Sequence, residues 1–151
     1  MAFGPLPACA WGAQPNLPLA TNYQDLWWAA PAGVESGWGV NFSHQGDIIF
    51  ATWFTYGFDG APLWLSLTAR RSGPQVYTGD LYRTTGPAFD AQPFKPGNVV
   101  ATPVGTATLT FADGNRASFA YSVTLGTPPT TVTQTKQVTR QVFRPPGTTC
   151  Q

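Results

Sequence analysis

Apolar and polar residues alternate with a period of two along most of this chain, and turn-forming residues interrupt them at intervals of 12–14 residues through its centre. Gly37–His44 (GWGVNFSH) sets Trp38, Val40, Phe42 and His44 on one face and Gly39, Asn41 and Ser43 on the other. Ile48–Tyr56 is apolar on both faces, with Ile48, Phe50, Phe54 and Tyr56 against Ile49, Ala51 and Trp53. Leu63–Ala69 turns Leu63, Leu65 and Leu67 one way and Trp64, Ser66 and Thr68 the other. Leu26–Ala29, Val76–Thr84, Val99–Ala112, Ala117–Thr124 and Thr131–Phe143 complete the set of predicted strands. Pro103 and Gly105 predict a bulge or edge position inside the sixth of these.

The breaks are chemically specific. Asp59-Gly60 supplies the positive φ that a hairpin turn requires. Gln45–Asp47, Ser72–Pro74, Asp113–Asn115 and Thr127–Pro129 are further turns. No stretch shows the 3.6-residue apolar period with caps that a helix needs. The chain therefore reads as all-β, with about eight antiparallel strands. Sequential tight hairpins favour an up-and-down meander, and closure into a barrel removes its exposed edges. A β-sandwich is the alternative. Residues 1–20, with Pro5, Pro7, Pro15 and Pro18, form an extended Pro-rich arm ahead of one β-domain at 21–144 and a tail at 145–151. The outer side of Ile48–Tyr56 then needs a cover, from this arm or from a neighbouring subunit.

Composition narrows the setting. The 151 residues amount to one domain, and 42% hydrophobic with 14% aromatic residues exclude disorder. Only 10% are charged, against about 25% in an average domain. No apolar run is long enough for a membrane-spanning helix, and a net charge of +1 argues against a nucleic-acid binder. The charges segregate. Residues 1–69 carry Asp25, Glu35, Asp47 and Asp59, a formal −4, whereas residues 70–151 carry eight basic and three acidic residues, a formal +5. Either two halves of one sheet pair their charges, or one copy docks head-to-tail on the next.

Few Lys, abundant Thr and Gly, and an even cysteine count fit an exported protein, secreted or on the cell surface. The first ten residues have neither the basic nor the apolar region of a signal peptide, and Met1 reads as an initiator placed before a mature fragment. Cys9 and Cys150, one near each end, suggest a disulfide that clasps arm to tail and contributes roughly 5 kcal/mol in the chain-entropy model. Two Cys and one His are too few for structural zinc, and no cofactor motif is present.

The runs Asn22–Trp28 (NYQDLWW), Glu35–Asn41 (ESGWGVN), His44–Asp47 (HQGD), Ile49–Tyr56 (IFATWFTY), Leu81–Pro87 (LYRTTGP), Val104–Phe111 (VGTATLTF) and Thr139–Phe143 (TRQVF) together resemble a Trp-rich domain of exported bacterial proteins. The resemblance covers residues 22–144 and implies secretion and modularity, but no catalytic residue. A second resemblance is to the calycins, the lipocalins and avidins. It implies that Trp38, within Gly37-Trp38-Gly39, packs against an Arg of the last strand, Arg140 or Arg144.

His44, the only histidine, is the sole candidate for a general base near neutral pH, with Ser36, Ser43, Glu35 and Asp47 close in sequence. Ser43 and His44 are adjacent on a strand and point to opposite faces, and no Gly-x-Ser-x-Gly elbow occurs. His44 reads more simply as a hairpin cap. The tryptophans say more. Trp27, Trp28, Trp38, Trp53 and Trp64, with Tyr56, fall within 38 residues. Trp27 and Trp28 must face opposite sides, and Trp53 and Trp64 would form a cross-strand pair about Asp59-Gly60. They are either core or a contact surface. The leading expectation is a non-enzymatic extracellular binding module, with these rings as a platform for saccharide or another ligand and Asn41, His44 and Glu35 as its polar rim. The alternative is a self-assembling filament or surface subunit that uses the arm to join a second copy. A hydrolase using His44 is the third.

Overall fold

A computed structural model describes residues 22–141. They form eight strands: β1 (Asp25–Ala29), β2 (Gly39–Gln45), β3 (Ile48–Tyr56), β4 (Pro62–Gly73), β5 (Val76–Thr85), β6 (Val100–Phe111), β7 (Arg116–Leu125) and β8 (Thr130–Arg140). Each strand pairs antiparallel with the next, and β1 pairs with β8, so the sheet closes as an up-and-down barrel. A short 3₁₀ turn, Pro96–Asn98, lies in the β5–β6 connection. No helix among the described residues is long and apolar enough to cross a membrane. The arm, the expected Cys9–Cys150 clasp, the tail and Arg144 lie outside the described residues.

Alternation decides which residues enter the barrel. From β2, Trp38 just before the strand and then Val40, Phe42 and His44 are buried; from β3, Ile49, Ala51 and Trp53; from β4, Leu65, Leu67 and Ala69; from β7, Ala117, Phe119, Tyr121 and Val123. Two aromatic groups result. Tyr23, Trp27, Phe42, His44, Tyr77 and Phe111 fill one end, with the Tyr23 and Phe111 rings stacked at 3.6 Å. Trp38, Trp53, Phe119 and Tyr121 pack edge-to-face or tilted toward the other.

The expected disruption at Pro103 and Gly105 proves to be a bulge within a continuous β6. Leu81 pairs with Gly105 but Tyr82 with Pro103, so Val104 is passed over. Here the strands approach so closely that a Cβ on Gly105 would lie 1.9 Å from the Ser122 carbonyl oxygen.

One expected pairing is corrected. Trp53 faces Leu65 inside the barrel, while Trp64 faces Phe54 outside it. A five-residue loop, Gly57–Ala61, joins β3 to β4 with Tyr56 opposite Pro62, and this register places the two tryptophans on opposite faces. The outer side of β3 and β4 consequently carries Phe50, Phe54, Tyr56 and Trp64, each about half exposed.

Closure depends on a short seam. β1 contributes only five residues, and its register with β8 pairs Trp27 with Arg140, Trp28 with Thr139 and Ala29 with Val138. Arg140 reinforces it. Its Nε donates to the Gly114 carbonyl (2.7 Å), and one terminal nitrogen donates to the Gln24 carbonyl (2.9 Å) and to Asp25 Oδ2 (3.0 Å). The guanidinium also lies 5.1 Å from the Trp27 ring centre. The arginine thus stacks on Trp27, and the Trp38 partner implied by the calycin resemblance is instead Lys136, 5.7 Å from that ring.

The segregated charges meet across the barrel. Asp25 pairs with Arg140, Glu35 with Lys136 and Asp47 with Arg71, so three of the four acidic residues in the first half are matched by basic residues of the second.

Replacing Arg140 with Met keeps its apolar stem but leaves Asp25 and two carbonyls without their donor. Breaking a buried pair in this way is expected to cost about 3 kcal/mol, read as a lower urea midpoint. Arg140→Lys should recover only part of it, because an ammonium cannot span the three acceptors in a planar fork.

Candidate functional site

Strand direction separates the two ends of the barrel. The turns at Gly46, Pro74 and Gly114, together with Asn22 and Gln141, gather at one end; the β1–β2, β3–β4, β5–β6 and β7–β8 connections gather at the other.

The first end is sealed, and His44 belongs to it. His44 is 2% exposed and lies between Tyr23 and Tyr77. The Tyr23 backbone N–H donates to Nδ1 (3.0 Å), which leaves the proton on Nε2 to be donated to the Gly46 carbonyl (2.9 Å). The Tyr77 hydroxyl lies 3.2 Å from the same Nε2. Burial lowers the His44 pKa, against smaller upward effects of the Gly46 hydrogen bond and the Asp47 charge. Burial also pushes Tyr77 up to about 12, with the Tyr23 and Asp47 charges acting in the same sense and Arg71 against. The residues once grouped around His44 are dispersed: Ser43 and Asn41 lie on the outer face, Asp47 flanks the β2–β3 turn, and Ser36 and Glu35 occupy the β1–β2 loop at the far end.

The second end is open, and the sheet interior continues into it as a recess of about 230 Å³. Aromatic rings of Trp38, Trp53, Tyr56, Phe58 and Tyr121 line it, along with aliphatic side chains such as Leu63, Leu65 and Val132. Both indole N–H groups, on Trp38 and Trp53, are buried and have no hydrogen-bond partner. Natural interiors rarely leave such donors unpaired, and each costs about 1–3 kcal/mol. Tyr121 donates to Gln134 Oε1, and burial followed by the Glu35 charge raises the Tyr121 pKa, so it remains a neutral phenol.

Polar residues of the rim come from opposite edges of the seam. Lys136 Nζ donates to both carboxylate oxygens of Glu35 at 2.8 and 2.7 Å. The Lys136 side chain is 19% exposed and that of Glu35 42%, so the pair contributes about 0–1 kcal/mol. Tyr56, from the outer row of β3, closes another side, its hydroxyl so near Gly37 that a Cβ there would clash with it. The Gly57–Ala61 loop divides this recess from a second of about 290 Å³ that also touches Arg83.

Of the nine residues expected to form one ligand surface, the structure gathers Glu35, Trp38, Trp53 and Tyr56 at the mouth. Trp27 and His44 belong to the sealed end, while Trp28, Asn41 and Trp64 lie on the outer surface. Tyr121, Gln134 and Lys136 were not foreseen. A signal for the last two exists in β8, where Thr131, Thr133 and Thr135 mark one face and Val132, Gln134 and Lys136 the other. Among the described residues, no three His, Cys, Asp or Glu side chains come together as metal ligands. No protein-family model matches the chain, and neither the curated proteins nor the solved structures provide a match.

The sealed end sets a pH window for stability. Above pH 6.5 His44 is neutral folded and unfolded; below it the unfolded chain takes up the proton first, so stability falls with falling pH. Above pH 10 the unfolded Tyr77 ionises first, and stability falls again toward about 12. Urea midpoints measured between pH 5 and 11 are expected to plateau between those limits. His44→Gln should flatten the acid limb.

Proposed function

We propose that this chain is a non-enzymatic, secreted binding module that takes one small ring-bearing ligand into the open mouth of its barrel. A single observation carries this reading: an aromatic-lined recess that opens at one end of the barrel. A bound ring would cover these aromatic walls and take their apolar surface out of water. At about 230 Å³ the recess falls below the roughly 300–1,000 Å³ of sites for drug-sized ligands, which favours one ring, sugar or aromatic, over an extended chain. Secretion is supported by the composition and by the resemblance to exported bacterial domains.

Tryptophan fluorescence reports directly on the walls. A panel of monosaccharides and single-ring aromatic compounds is expected to include members that shift the emission saturably. Val132→Phe narrows the recess from its half-buried rim and is expected to weaken that binding about tenfold or more, ~1.4 kcal/mol, with an unchanged melting temperature. Silence across the whole panel would count decisively against a mouth ligand.

The exposed Phe50, Phe54, Tyr56 and Trp64 stripe favours a second reading, a subunit that self-associates through the outer face of β3 and β4. Light-scattering mass should then rise with concentration and return to the monomer value in Phe54→Ser/Trp64→Ser. A constant monomer mass removes it.

A further inference from the structure

Lys136 Nζ is the one cationic group among the described residues that line the mouth. Two of its three protons go to Glu35. The other polar side chains there, Thr55, Tyr56, Tyr121 and Gln134, are neutral and offer acceptors as well as donors. A carboxylate meets the ammonium in a hydrogen bond charged on both sides, stronger than any that the hydroxyl of a polyol makes there.

Glu35 occupies the place such a group would take. It stands on the β1–β2 loop, more exposed than Lys136, and returning its carboxylate to water sacrifices little because so exposed a pair is weak. Lys136 cannot leave as readily, since it projects from β8 into the barrel beside the Trp38 ring. Granted that the mouth binds a ligand, we infer that the ligand is a small monocarboxylate. Its carboxylate displaces Glu35 from Lys136, and its apolar ring rests against Trp38 and Trp53. The internal carboxylate acts as a competing occupant that holds the cation ready.

Phenylacetate, its neutral isostere phenylacetamide and methyl glucoside separate these chemistries in titrations followed by tryptophan fluorescence and calorimetry at neutral pH. Phenylacetate is expected to bind about tenfold tighter than phenylacetamide. Glu35→Gln removes the competitor and is expected to tighten phenylacetate about threefold or more without affecting phenylacetamide. Lys136→Met should abolish the preference for the acid; Glu35→Gln lies on an exposed loop and keeps the test valid if Lys136→Met fails to fold. Phenylacetamide or methyl glucoside binding as tightly as phenylacetate would overturn the carboxylate class while leaving the mouth as a binding site. Weaker phenylacetate binding in Glu35→Gln would overturn the exchange. No binding by any of the three compounds or the wider panel would remove both readings.

Discussion

A closed barrel of eight strands has one seam that chain connectivity does not supply, and here it lies between the shortest strand and the last. Seven connections join strands consecutive in the chain, but β1 and β8 must find each other across more than a hundred residues. Arg140 meets that constraint with one planar group, which reaches a β6–β7 turn carbonyl, the chain entering β1, and a carboxylate on β1 itself. Stacking on Trp27 adds an apolar contact on the same side chain. Because both barrel ends inherit their shape from a closed sheet, the recess at the mouth depends on this contact formed at the opposite end.

The same closed sheet gives its ends unlike chemistry. At the sealed end Tyr23, His44, Tyr77 and Phe111 fill the space with rings, and both His44 nitrogens are engaged. At the open end Trp38, Trp53, Phe119 and Tyr121 pack on one another below a recess, and the buried indole N–H groups of Trp38 and Trp53 have no partner. The pairing of Glu35 with Lys136 spans the rim there, across the seam that Arg140 holds further down.

Much of this was legible in the sequence. Period-two alternation located all eight strands, and Gly-, Pro- and Asp-containing turns set their order. Alternation also separated the two faces of β2 and set the leucines of β4 apart from Trp64. However, β3, apolar on both sides, left its inward face open, and His44 and Asn41, expected on one rim, lie on opposite faces of β2. The Trp53–Trp64 pairing was misread because a loop longer by one residue moves every cross-strand partner, and nothing in local composition counts loop residues. Tyr121, Gln134 and Lys136 escaped notice because they come from distant strands and have no motif of their own.

Local sequence determined the strands, the turns and the identity of the side chains on each face, since these follow from backbone sterics and a two-residue period acting over a few positions. It also determined the separation of charge along the chain. Tertiary structure alone decided which tryptophans share a cavity, that Arg140 stacks on Trp27 rather than Trp38, and that Glu35 meets Lys136. Those outcomes depend on barrel closure and cross-strand register, which bring residues a hundred positions apart within a hydrogen bond's length, and no local pattern encodes that distance.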